Sequence, residues 1–131
     1  GACWARAVVA DVFEPGDHGT TFGGQPLAAA AATAVLAVME REDAPARAER
    51  AGARLAERLG ALDGVADVRG LGLLLGVELA ERDARQVFAE LLARGLVVNP
   101  VTPTALRLTP SLLVSDAEID EAVASIAVVL A

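Results

Sequence analysis

The chain contains no lysine: all eleven of its basic residues, in 131, are arginines. Arginine in place of lysine beside abundant alanine is what a GC-rich genome produces without functional cause, so the absence sets a chemical limit rather than naming a function. The limit is that no side-chain amine is available to capture a carbonyl as a Schiff base. Cysteine occurs once, as Cys3, which excludes an internal disulfide and fits a reducing compartment. A single histidine, His18, makes neither a metal site nor a catalytic dyad, and a loop hydrogen bond is expected of it. Cations are in the minority: a net charge of −7 and a pI near 4.6 argue against a nucleic-acid partner, which would need clustered positive charge. Long apolar runs are missing too. The uncharged stretch 27–39 falls short of the roughly 20 residues that span a bilayer, and no basic segment precedes it as in a signal peptide. A cytoplasmic protein with no membrane partner is expected.

What is present is punctuated clearly. Residues 2–13 read as a short strand or irregular segment followed by a helical turn, and Glu14-Pro15-Gly16-Asp17 is a turn signature. Pro26 suits the first position of a helix that continues to about Met39 or Arg41. That helix is apolar around its whole circumference, so burial in an assembly or interface is expected. A second helix, 44–62, mixes Arg47, Glu49, Arg50, Arg54, Glu57 and Arg58 with alanine, giving a solvated face opposite Leu55, Leu59 and Leu62. Strands are predicted over 65–71 and 73–79, then a helix 83–93 closed by Gly95, strands 96–99 and 105–108, and a last helix 117–130. Ser115 and Glu118 have the spacing of a capping box at the start of that helix. The change from uncharged to charged helix near residues 40–43 suggests a domain boundary, with units 1–42 and 43–131, the second an α+β sandwich.

The residues that could carry chemistry are few. Gly16-Asp-His-Gly-Thr-Thr-Phe-Gly-Gly-Gln-Pro26 is a glycine-rich polar loop running into a helix start, an arrangement that offers the hydroxyls of Thr20 and Thr21 and backbone N–H groups to an anion. Helix capping alone would also account for the two threonines. A P-loop is excluded because the Gly-Lys-Ser/Thr step is missing, and Gly70, Gly72 and Gly76 lack dinucleotide-fingerprint spacing and read as a bulge or turn. Arg107, between Leu106 and Leu108 in an apolar strand, needs either a partner or water. Cys3 and Trp4 are expected to pack.

Read together, Gly1-Ala-Cys3, the loop 16–28, Val68-Arg-Gly-Leu-Gly-Leu-Leu-Leu-Gly-Val-Glu78, Gly95-Leu-Val-Val-Asn-Pro100 and Leu106-Arg-Leu-Thr-Pro110 closely resemble the C-terminal part of the acetylornithine aminotransferases. These are class III, fold-type-I enzymes dependent on pyridoxal phosphate. The resemblance covers essentially the whole chain in the family's order. It implies an α/β fold: the end of the large cofactor-binding domain with its phosphate loop and connecting helix over 1–42, and the small α+β domain over 43–131. The implied reaction moves the terminal amino group of an acylated ornithine to 2-oxoglutarate, within arginine biosynthesis. The substrates are thus small molecules, the cofactor pyridoxal 5'-phosphate, and the full-length protein a homodimer. Thr21 matches the threonine that binds the cofactor phosphate across the dimer interface, Thr20 the hydroxyl residue beside the acylated substrate, and Arg107 an arginine at the active-site mouth. Gln25 stands where the family often has Asn, and Ser111 where a second Pro is usual.

The resemblance also implies that the Schiff-base lysine lies outside this sequence, before Gly1, so that the chain holds no catalytic residue and is a piece of a longer enzyme, inactive alone. An opening on Gly1 rather than Met fits a processed or truncated chain. Two alternatives stand beside this reading: another class III aminotransferase, of ornithine or 4-aminobutyrate type, and a non-catalytic α+β module that binds a small molecule.

Overall fold

The computed structural model describes residues 4–131, and the packing role expected of Cys3 lies outside them. The chain forms two compact units, Gly1–Glu42 and Asp43–Ala131.

The first unit carries a single helical turn, α1 (Ala7–Ala10), and the helix α2 (Pro26–Arg41). Residues 2–13 contribute no strand among those described, and Trp4, expected to pack, is 87% exposed; the valines of the neighbouring helical turn are exposed too, and none of its residues is buried. The turn at 14–17 forms as its residues demand: Asp17 N–H donates to the Glu14 carbonyl at 3.1 Å, with Pro15 and then Gly16 at φ +110° in the middle. Proline opens α2, whose one internal hydroxyl, on Thr33, turns back to the Ala29 carbonyl at 2.9 Å. Over residues 27–39, before the closing Glu40 and Arg41, the helix is therefore apolar on every side, yet none of its residues is buried in this chain, and Val35 and Leu36 are each 58% exposed. The burial expected of it is not supplied by these residues.

The second unit contains α3 (Ala44–Gly60), β1 (Val65–Leu71), β2 (Leu74–Leu79), α4 (Ala84–Ala93), β3 (Asn99–Pro100), β4 (Ala105–Leu108) and α5 (Asp116–Leu130). Its four strands form one antiparallel sheet in the order β1-β2-β4-β3. Alternation along the strands sends Leu75, Val77 and Leu79 of β2 and Leu106 and Leu108 of β4 into one buried cluster with Leu55 and Leu59 of α3, Val87 and Leu91 of α4, and Ile119, Val123 and Ile126 of α5. Helix ends are fixed locally. Asp83 caps α4 by accepting from the N–H groups of Arg85 and Gln86, each at 3.0 Å, and Ser115 and Glu118 complete the capping box of α5.

The strand expected over 96–99 is reduced to Asn99–Pro100. Its beginning is taken by the end of α4: Gly95, at φ +85°, donates to the Leu92 carbonyl and Leu96 to that of Leu91, both at 3.0 Å. Those two bonds are a Schellman closure, which commits the Leu96 backbone to the helix rather than to the sheet.

Two glycines set how closely the layers meet. Gly72 stands first in the two-residue loop between β1 and β2 at φ +54°, and a Cβ on Gly52 of α3 would fall 2.0 Å from the Gly72 carbonyl oxygen. The helix backbone thus lies directly against the hairpin turn. The charged face of α3 is less solvated than its composition suggests. Arg54 reaches Asp120 of α5 at 2.7 Å and Asp116 at 3.8 Å, and Arg58 pairs with the same Asp120 carboxylate.

Candidate functional site

Thr20 and Thr21 lie side by side at the start of the turn that leads into α2, and both are exposed. Neither hydroxyl has a hydrogen-bond partner among the described residues, so four lone pairs and two O–H donors are free. The turn is tight: Gly23 N–H donates to the Thr20 carbonyl at 3.4 Å, and a Cβ on Gly23 would stand 2.4 Å from Thr20 Cγ2. Gly24 follows at φ +72°, a conformation that L side chains rarely adopt. Gln25, at the N-cap of α2, gives no side-chain hydrogen bond to the first helical N–H groups. The helix start is thus polar, positive in its dipole and uncapped by side chains, beside two free hydroxyls. These are the donors an oxyanion requires. His18, in the same loop, is exposed and makes no hydrogen bond among the described residues, so the loop bond expected of it is not present.

Arg107 belongs to the second unit. It occupies the exposed position of β4 between buried Leu106 and Leu108. Register places four residues in one row across the outer face of the sheet, Arg69 opposite Gly76, Gly76 opposite Arg107, and Arg107 opposite Asn99. The two arginines of the row differ in their surroundings. Arg69 donates to Glu78 at 2.9 Å and lies 3.5 Å from Asp67. Glu78 also accepts from the Thr104 hydroxyl, and these hydrogen bonds, from Thr104 first and Arg69 second, hold its carboxyl below the usual carboxylate range. Arg107 has no carboxylate partner among the described residues.

Arg107 and Asn99 also help line a cavity of about 430 Å3 whose wall includes Leu55, Thr109, Ser111 and Glu118. Glu118 is occupied elsewhere: its carboxylate accepts from the backbone N–H and the hydroxyl of Ser115, at 2.8 and 2.7 Å, which holds it below the usual range. Arg107, which has no carboxylate partner among the described residues, is thus one of its lining residues, beside two hydroxyl-bearing residues and apolar walls. A small acid with an aliphatic body has the complementary chemistry. Asn99 is expected from the sequence only as the last residue of a strand, and nothing in the sequence marks it as a partner of Arg107, because that pairing comes from the register of β3 and β4. Among the described residues no cluster of His, Cys, Asp and Glu could hold a metal, and no helix is long and apolar enough to cross a membrane.

Residues 1–130 match the family described as Aminotransferase class-III. Over 131 residues the chain is 48% identical to an acetylornithine aminotransferase of Corynebacterium efficiens, covering 100% of this chain and 32% of that protein. An ornithine aminotransferase of an Exiguobacterium species is 42% identical over 125 residues, 94% of this chain and 31% of the relative. Among solved structures, the ornithine aminotransferase of Toxoplasma gondii, studied at partial occupancy of PLP, superposes with a TM-score of 0.78 at 36% identity, covering 95% of this chain and 31% of its own. The acetylornithine aminotransferase of Elizabethkingia anophelis gives 0.78 at 32% identity, over 93% of this chain and 34% of its own. The chain thus spans about a third of the length of the curated relatives it matches.

Proposed function

The chain belongs to the class III aminotransferases, and on that premise we propose that it supplies the phosphate-binding loop and the substrate-side domain of an enzyme that moves the terminal amino group of N-acetylornithine, or a similar acylated ornithine, to 2-oxoglutarate. The cofactor is pyridoxal 5'-phosphate, which when bound supplies an electron sink for the carbon that exchanges its amino group. The observation that carries this reading is the loop 20–24, with two adjacent unpartnered hydroxyls at a helix start whose first N–H groups no side chain caps. A phosphate dianion needs such donors more than it needs a base.

The roles divide by unit. Residues 1–42 are read as the end of the large domain with its connecting helix, and 43–131 as the small domain. Thr21 holds the cofactor phosphate through its hydroxyl and N–H, in the subunit across a homodimer interface, and α2 contributes its dipole. Thr20 stands beside the acylated substrate. Arg107 receives a substrate carboxylate through its planar fork of donors. The amine that binds the cofactor covalently is not among these residues, since the chain has no lysine. Arginine biosynthesis in the cytoplasm is the setting this implies. A second reading, transfer from ornithine itself, is favoured by the ornithine aminotransferases among the relatives.

The test uses a chimera in which this chain replaces the matching third of the Corynebacterium efficiens relative. Thr21→Ala in that chimera should weaken pyridoxal phosphate binding by about 1.5–3 kcal/mol, the usual size for a hydrogen bond to a charged group. Titration of the apo-chimera reads the dissociation constant. An unchanged value removes Thr21, and the loop with it, from the phosphate site.

A further inference from the structure

We propose that Asn99 is a positioning residue for Arg107, holding its guanidinium in place for an anion without neutralising it; the inference rests on the carboxylate-binding role given to Arg107 above. The two are direct partners across β3 and β4. The orientation of the Asn99 amide follows from its neighbours. Turned one way it sets its NH2 against the guanidinium, donor against donor. Turned the other way, its oxygen accepts from Arg107 Nη2 at 2.7 Å and its nitrogen donates to the Pro100 carbonyl at 3.2 Å. Only the second satisfies both ends.

Three features make this a device rather than a chance contact. The backbone of Asn99 is stiffened on both sides, by the Schellman closure that ends at Leu96 and by Pro100, which restricts the residue before it to extended conformations. The acceptor is neutral, so the arginine keeps its full charge. Arg69, in the same row of the same sheet, shows the alternative, held by the carboxylates of Glu78 and Asp67 and thereby compensated. Gly76 lies between the two arginines with no side chain to bridge them. With one Nη engaged by Asn99, the remaining N–H donors of the Arg107 fork have no partner among the described residues and are free for a carboxylate.

The test has one arm on the chain and one on the chimera. In the 131-residue chain, side-chain NMR of Arg107 should show restricted guanidinium motion that Asn99→Ala releases and Asn99→Asp retains. In the chimera, Asn99→Ala should raise the KM for 2-oxoglutarate roughly three- to tenfold with kcat within about twofold, as expected when a fork loses its preorganisation. Asn99→Asp should raise KM further, because its carboxylate competes with the substrate for the same cation. Equal Arg107 motion in parent and Asn99→Ala, or a KM that Asn99→Ala leaves unchanged while Arg107→Gln raises it, overturns the positioning role. A KM indifferent to Arg107→Gln instead overturns the carboxylate role of Arg107 itself. Should the chimera not assemble, the NMR comparison decides the positioning role by itself.

Discussion

Ser115 and Glu118 exchange hydrogen bonds across the first turn of α5, and Glu118 also lines the cavity that Arg107 borders. Removing the cap by Ser115→Ala should cost about 1 kcal/mol of unfolding free energy, readable as a lower urea midpoint at unchanged slope. The same contact carries a pH dependence whose sign is fixed. The carboxyls of Glu118, Glu78 and Asp120 are all held below their ordinary values, by Ser115, by Thr104 and Arg69, and by Arg54 respectively. Their contribution is fully present above the ordinary carboxylate range near pH ~4 and is lost as the pH falls through the lowered values. Acid titration of the parent and of Asp120→Asn should show the variant less sensitive in that window; identical acid profiles would contradict the pairing. At Arg107 the prediction concerns binding. Arg107→Lys in the chimera keeps the charge and loses the planar fork, so the KM for 2-oxoglutarate should rise several-fold with little change in melting temperature.

Gly52 tests how elements meet. In the interior of an exposed helix, glycine to alanine would ordinarily gain up to about 1 kcal/mol. Here the sign reverses, because the new Cβ would lie 2.0 Å from the backbone oxygen of Gly72 and must push α3 off the β1–β2 turn. Gly52→Ala should destabilise by about 1–3 kcal/mol, the range for overpacking, measured by urea unfolding. A stabilised variant would show that the helix can move aside freely. This contact marks the boundary of what was legible in the sequence. Local signals were: Pro26, the Ser115/Glu118 spacing, Gly95 and the apolar runs 73–79 and 105–108 each gave an element close to its observed place. Contacts between elements were not. Gly52 resembled any glycine in an alanine-rich helix, Arg54 and Arg58 resembled a solvated face, and Asn99 resembled an ordinary strand end, because each acquires its role from a residue on another element. The candidate site followed the same division, with Thr20, Thr21 and Arg107 visible as residue types in context and the row across the sheet visible only once register was known.

At the scale of the whole molecule, α2 has no buried residue and Asp43–Ala131 is a compact unit with its own apolar core. Because α2 is apolar on all sides over residues 27–39 yet has no buried residue here, its consequences should depend on context. In the chain alone, Ala30→Glu is a surface change within about ±0.5 kcal/mol and should improve solubility. In the chimera the same substitution, or Ala32→Glu, should give insoluble or dissociated protein, because the charge would be buried against a partner. Size-exclusion chromatography of both reads the contrast, and an intact soluble dimer of the charged chimera would show that α2 is not an interface. The central claim is that this chain can serve as the missing third of a class III aminotransferase, and the most direct test is turnover of N-acetylornithine with 2-oxoglutarate. Supplied with pyridoxal phosphate, the chimera should form glutamate, with N-acetylornithine preferred over ornithine, while the chain alone, which has no lysine, should form none. A folded chimera that binds the cofactor and yet turns over neither substrate, or turnover by the chain alone, would contradict the account.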